Sequence, residues 1–245
     1  MFVFKDHDAG FGNLLILLSD CWDTCKAIHK NVYERFELSN CVALKGYTVV
    51  DGDEGEHPPA KIIINNWMMK TVHPRLREFV YPTVYMESMI NQHMYLLDGV
   101  TAAVHIRRGS HSKDSTQFRA GTDKSFFHCS DDGLAKFERV IQQTSGKVYL
   151  ASDSKELKAS LKQKYGDKIH MLDTEFAITA HQDAATTQTV KNLQDAYLEW
   201  FLLSLCPVVF ITGGQTPEDL TGFSTYSYTA AVYGKKPYHL IFNNY

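Results

Sequence analysis

Val100-Thr101-Ala102-Ala103-Val104-His105-Ile106-Arg107-Arg108-Gly109 is an apolar run that ends abruptly in two arginines and a glycine. A short apolar run without alternation reads as a buried strand of a parallel sheet, and its charged end then lies at the rim of that sheet. Side chains alternate along a strand, so His105 and Arg107 share one face while Ile106 and Arg108 share the other. Similar runs follow at residues 147–151, 168–172, 208–212 and 238–242. Helical patterns separate them at 134–143, 154–165 (stopped by Gly166), 189–205 and near 227–233. Strands alternating with helices predict an α/β protein with a parallel sheet covered on both faces.

The N-terminal part repeats the pattern less clearly. A strand at 1–5 leads into the glycine loop Asp8-Ala9-Gly10-Phe11-Gly12-Asn13 and a helix over 14–33. Strands are expected at 47–50 and 61–66, and a helix at 84–97. A boundary at Asp98-Gly99 gives two α/β halves, 1–98 and 99–245, with a cleft between them as the natural ligand site. The 245 residues suffice for this.

Polar clusters fall at or near the strand ends, where open α/β sheets bind ligands. They are Arg107-Arg108-Gly109, Ser152-Asp153, Thr212-Gly213-Gly214 and, slightly later, Phe223-Ser224-Thr225. A guanidinium offers a planar fork of donors matched to phosphate oxygens and keeps its charge at any working pH. Each cluster also has a plainer reading. Arg107-Arg108 suits a surface ion-pair site and His105 a satisfied structural histidine. Asp153 with Glu156 suits a helix capping box. Asp195 and Glu199 suit a solvated helix face, and Gly12-Asn13 a turn before a helix. The polar stretch 110–130 is long for a plain connection, which marks it as a functional loop.

Composition narrows the classes. A net charge of -3 gives no global attraction to nucleic acid or to an anionic membrane, so an anion site has to be local. No run of about 18 apolar residues predicts a membrane span. The five cysteines are irregularly spaced, which argues against a disulfide framework and a zinc site and for a reducing compartment.

Taken together, the segments resemble the fucosyltransferase superfamily of α-1,2-, α-1,6- and protein O-fucosyltransferases. Val104-His105-Ile106-Arg107-Arg108-Gly109 resembles its signature, and Gly10-Phe11-Gly12-Asn13 its early Gly-x-Gly-Asn loop. Val148-Tyr149-Leu150-Ala151-Ser152-Asp153 resembles its second motif. Glu199 to Cys206, followed by Phe223-Ser224-Thr225-Tyr226-Ser227-Tyr228, resembles its third. The likeness covers roughly residues 100–242, with only the glycine loop matching before it.

The resemblance implies a GT-B-like fold, two Rossmann-like halves whose parallel sheets face a cleft, and a GDP-sugar co-substrate without cofactor or essential metal. Carried over by position, Arg107 holds the β-phosphate and Arg108 supports it. His105 touches the nucleotide, and Gly10, Gly12, Asn13 and Asp153 join the donor site. Ser224 and Thr225 bind phosphate oxygens, and Glu199 reads the guanine edge. Asp8 is a candidate base, with His7 and the 110–130 loop as alternatives. The expected reaction moves fucose from GDP-fucose to a glycan hydroxyl with inversion, in a cytoplasmic enzyme such as a bacterial or viral one. Another nucleotide sugar, or a non-catalytic nucleotide- or glycan-binding module, is the alternative. The chain departs from the family pattern where Ser110 replaces the usual Asp and where residues 213–222 look inserted, departures that bear on the acceptor and the sugar.

Overall fold

A computed structural model of the protein describes residues 3–4, 11–20, 26–29, 40–51, 75–108, 129–174, 190–214 and 223–244. The chain runs through β1 (Val3–Phe4), α1 (Phe11–Asp20), β2 (Ala27–His29), β3 (Val42–Leu44) and β4 (Thr48–Val50). Next come α2 (Leu76–Phe79), β5 (Val80–Pro82), α3 (Val84–His93) and a 3-10 turn, Met94–Leu97. The second half holds β6 (Val100–Ile106), α4 (Asp131–Gln143), β7 (Lys147–Ser152), α5 (Lys155–Tyr165) and β8 (Ile169–His170). It closes with α6 (Val190–Leu205), β9 (Val209–Thr212), α7 (Thr225–Gly234) and β10 (Tyr238–Ile241).

The expected α/β class holds. Five strands pair in the order β10-β9-β6-β7-β8, and every pairing among them is parallel. A second parallel sheet has the order β1-β2-β4, and β3 pairs antiparallel with β5. From β6 the chain winds outward through β7 to β8, then returns to the other side of β6 for β9 and β10. The winding therefore reverses between β6 and β9. At such a reversal the two flanking connections leave in opposite directions and open a crevice at the carboxyl ends of the strands. Arg107 directly follows β6 and Thr212 ends β9, the two strands that border it.

Local chemistry sets the helix limits. Ser130 caps α4 by accepting from the Gly133 N–H at 3.1 Å, with Asp131 and Asp132 in the first turn beside the positive helix end. Ser154 caps α5 in the same way, accepting from Leu157 N–H at 3.2 Å. Gly166 stops α5 at φ 56°, a backbone angle that costs glycine nothing.

One expectation fails here. The helix predicted over 14–33 does not run through, because Ala27–His29 forms β2 between β1 and β4; residues 21–25 lie outside the described residues. Ala27 and Ile28 are buried, so strand pairing outweighs the local helical pattern. The strand expected at 61–66, together with Cys21 and Cys25, lies outside the described residues.

The main hydrophobic cluster passes through both halves of the sequence. It joins Leu14, Leu18, Ile28 and Leu76 to Ala103, Trp200, Ile211 and Ala230. Trp200 of α6 is fully buried and donates its indole N–H to Thr229 Oγ1 of α7 at 3.1 Å. Phe11 of α1 stands edge-on to Tyr197 at 4.6 Å and to Trp200 at 5.4 Å. Helices α1, α6 and α7 are thus locked together by aromatic contacts, and this fixes the start of α7 relative to β6. At its other end α7 meets α2, where Arg77 donates to the Tyr233 carbonyl and lies over the Tyr233 ring.

Candidate active site

The crevice between β6 and β9 is stitched by one residue, Thr212. Strand pairing lasts to His105 opposite Ile211. Beyond it the Thr212 hydroxyl donates to the His105 carbonyl at 3.1 Å and accepts the Arg107 N–H at 3.0 Å. The Thr212 carbonyl accepts the Ser224 N–H at 2.9 Å. The end of β6 and the start of α7 are therefore joined through a single buried residue.

Ser224 occupies the N-cap of α7, yet its hydroxyl makes no cap hydrogen bond. The side chain is 1 % exposed and Oγ has no partner. Cap serines ordinarily turn their oxygen onto the N–H groups of the first turn. The imidazole of His105 is buried, lies tilted with its centroid 5.3 Å from that of the Tyr226 ring, and leaves Nδ1 without a partner. Burial pushes the His105 pKa down to about 4, with Asp153 opposing and Arg107 and Lys158 assisting, so the ring is neutral at pH 7. Burial also lowers the Arg107 pKa, against the pull of Asp153, but an arginine tolerates this and stays charged.

Helix α1 brings a second N-terminus to the same place. Over its described extent, Phe11–Asp20, Gly12 and Asn13 lie within the helix. Gly12 lies against the first turn of α7, and a Cβ there would fall 2.5 Å from the Thr225 carbonyl carbon and from Tyr226 N. Two helix starts, each with backbone N–H groups lacking intrahelical acceptors, converge beside Arg107. An anion is the natural complement of such a place.

The other predicted residues sort out unevenly. Asp153 is no helix cap, because Ser154 takes that position; its Oδ1 accepts the Arg108 N–H at 2.7 Å. Arg108 donates to the Cys129 carbonyl at 2.9 Å and pairs with Asp131. The Arg107 carbonyl accepts from Cys129 N–H at 2.7 Å. The chain that leaves at Arg108 thus returns at Cys129, and the Arg108 guanidinium is tied to that return. Glu199 and Asp195 are buried, so the solvated-face reading of them fails. Lys158 of α5 pairs with Glu199 at 2.9 Å. Asp8, Gly10, His7 and most of the 110–130 loop lie outside the described residues, as does the side chain of Asn13.

Among the described residues no cluster of three or more His, Cys, Asp or Glu side chains suits a metal ion. Nor, among them, is any helix long and apolar enough to cross a membrane.

The comparisons with known proteins now bear on this geometry. No protein-family model matches the chain, and no curated protein matches it. Solved structures do. The selenomethionine form of the fucosyltransferase NodZ from Bradyrhizobium superposes with a TM-score of 0.56 at 13% identity, over 94% of this chain and 91% of that one. NodZ α-1,6-fucosyltransferase co-crystallised with GDP gives 0.54 at 13% over the same shares. The form soaked with GDP-fucose gives 0.54 at 14%, again over 94% and 91%. The chain shares the fold of these NodZ structures. At this identity the likeness speaks for the fold, and the chemistry has to come from the residues described above.

Thr212 belongs to one of the strand-end clusters read from the sequence, though with no role of its own there, and Lys158 was not singled out at all. Lys158 sits in Lys155-Glu156-Leu157-Lys158-Ala159-Ser160-Leu161-Lys162, where its neighbours Lys155 and Glu156 are exposed. No local signal separates a buried lysine from exposed ones in such a stretch.

Proposed function

We infer that the chain is a glycosyltransferase that binds a GDP-sugar, with GDP-fucose as the favoured donor, and passes the sugar to a glycan hydroxyl with inversion. One observation carries the reading. Ser224 Oγ and His105 Nδ1 are both buried without a partner, beside Arg107 and the paired starts of α1 and α7. Buried polar atoms are nearly always satisfied, so two orphans next to a guanidinium and two helix N-termini describe a place shaped for an anionic, hydrogen-bonding ligand. A nucleoside diphosphate supplies that chemistry, and NodZ, of like fold, has been solved with GDP and GDP-fucose.

In this mechanism the acceptor oxygen attacks the anomeric carbon as the bond from that carbon to the β-phosphate oxygen breaks. The electron pair of the broken bond goes to the phosphate. Arg107, Ser224 and the α7 start with Thr225 stabilise the growing charge, each well-placed donor lowering the barrier by roughly 3–4 kcal/mol. The acceptor proton goes to a base, for which Asp8 beside the glycine loop is our candidate. Arg108, bound to the loop return, and Asp153, bound to the Arg108 N–H, support Arg107 from behind. Gly12 brings the two helix starts together.

The test is Arg107→Ala, assayed for GDP binding by calorimetry and for GDP release from GDP-fucose in the presence of glycan acceptors. Turnover should fall by about 100–1,000-fold with the fold intact. Unchanged turnover would remove Arg107 from the reaction. GDP binding by the wild-type protein with no transfer to any acceptor would favour the non-catalytic module, and stronger stabilisation by another nucleotide sugar would change the donor.

A further inference from the structure

A lysine and a glutamate meet inside the molecule, between α5 and α6, where neither is needed to complete the core. Lys158 Nζ donates to Glu199 Oε1 at 2.9 Å and to Thr174 Oγ1 at 3.2 Å. Both side chains are at most 5 % exposed. Hydrophobic residues of similar volume commonly serve a buried position as well or better, so a buried pair asks for a reason beyond stability. The neighbourhood supplies one. Glu199 interacts electrostatically with Asp153, which directly follows β7, and with Tyr226, whose ring centroid lies 5.3 Å from that of His105. The pair is therefore electrostatically coupled to residues of the candidate donor site.

We propose that Lys158 is a positioning residue for Glu199: it fixes one carboxylate oxygen and keeps the group an anion, so that the carboxylate accepts the N1–H and 2-amino donors of a guanine. Lys158 takes Oε1, and among the described residues no donor reaches Oε2. A carboxylate oxygen has two lone pairs, so Oε1 can serve Lys158 and one base N–H while Oε2 serves the other. This rests on the GDP reading above and adds how the base is chosen.

The charge requirement follows from the surroundings. Burial drives the Glu199 carboxyl upward, and Asp153 and Asp195 push the same way. Tyr149 of β7 and Tyr226 of α7 are also coupled to it electrostatically. Of these neighbours only Lys158 opposes the rise, by its charge and by its hydrogen bond. A protonated carboxyl accepts from one fewer donor and loses the charge that makes the bonds strong. Without Lys158, Glu199 takes up a proton at a higher pH, and guanine binding that needs the anion is lost as pH falls through that point.

The experiment measures Kd for GDP, inosine diphosphate (which lacks the 2-amino group) and UDP between pH 8 and 6. Wild-type protein, Lys158→Gln, Lys158→Arg, Glu199→Gln and the double variant K158Q/E199Q are compared. The wild type should favour GDP over inosine diphosphate by about tenfold or more, the worth of one hydrogen bond to a charged group, with a flat pH profile. Lys158→Gln, which keeps a donor and removes the charge, should lose GDP affinity by about tenfold as pH falls across this range, with UDP unaffected. Lys158→Arg should restore the flat profile. K158Q/E199Q, with no carboxyl left to titrate, should be flat and no longer prefer GDP; it also serves if Lys158→Gln alone does not fold.

A Lys158→Gln profile parallel to wild type, a Lys158→Arg protein as pH-sensitive as Lys158→Gln, or a double variant that keeps the pH-dependent loss would each overturn the role of Lys158. Glu199→Gln with an undiminished preference for GDP would instead remove Glu199 as the base reader, and Lys158 with it. Neither result touches the diphosphate site, which Arg107→Ala tests separately.

Discussion

Replacing Gly12 by alanine adds one methyl group at the point where the two helix starts meet. The new Cβ would lie 2.5 Å from the Thr225 carbonyl carbon and from Tyr226 N, and 2.6 Å from the Thr225 oxygen. All three are backbone atoms, so no side chain can swing aside. Ordinary contact begins near 3.4 Å, and α1 and α7 must therefore part by about 1 Å. Overpacking of this kind costs about 1–3 kcal/mol, offset by up to about 1 kcal/mol of helix propensity regained on leaving glycine. For a chain of this size the melting temperature should fall by about 2–10 °C. Function should suffer more, because a shift of about 1 Å in a binding constellation can cost on the order of 100-fold in rate. Differential scanning fluorimetry with and without GDP, beside a turnover assay, reads both effects. A Gly12→Ala protein that melts with the wild type and turns over donor normally would refute the close approach and with it the paired-helix site.

Two further outcomes follow from the same residues. His105 is held at a pKa of about 4 against an ordinary 6.5, so the unfolded chain binds a proton there that the folded one refuses. Stability from this group is full above pH 6.5 and is lost as pH falls toward 4, by about 3 kcal/mol at most. Denaturant melts of His105→Phe should show a flatter acid limb than wild type, and equal slopes would refute the neutral buried ring. Arg108→Ala should destabilise by about 1–2 kcal/mol through the lost bond to the Cys129 carbonyl. Asp131→Asn should cost under about 1 kcal/mol, because its carboxylate is 87% exposed. A chemical-denaturation series giving the reverse order would show that Asp131, not the loop return, is the partner that matters.

The strands from Val100 onward were legible because each is an apolar run with a helix on either side, and periodicity reports burial directly. The rim position of Arg107 followed from that alone. The N-terminal half was less readable. Ala27–His29 sits in a sequence that suits a helix, and only pairing with β1 and β4, distant in the chain, makes it a strand. Asp153 misled for a different reason. Both it and Ser154 suit a cap, and the choice was made by the Arg108 N–H across the sheet, a contact no local pattern records. For Glu199 the plainer reading, a solvated helix face, fails because its side chain is buried against Lys158 of another helix, a contact the sequence does not show.

Helix α7 is gripped at both ends by elements from early in the chain: by Gly12 at its first turn and by Arg77 at its last. The helix whose start belongs to the candidate donor site is thus a strut shared by both halves. A rigid hinge between residues 98 and 99 would tear both grips, so opening and closing has to carry α1 and α2 along with α7. A ligand held at that helix start would then tighten the early part of the chain as well as the late part, the two halves answering it as one mechanical unit.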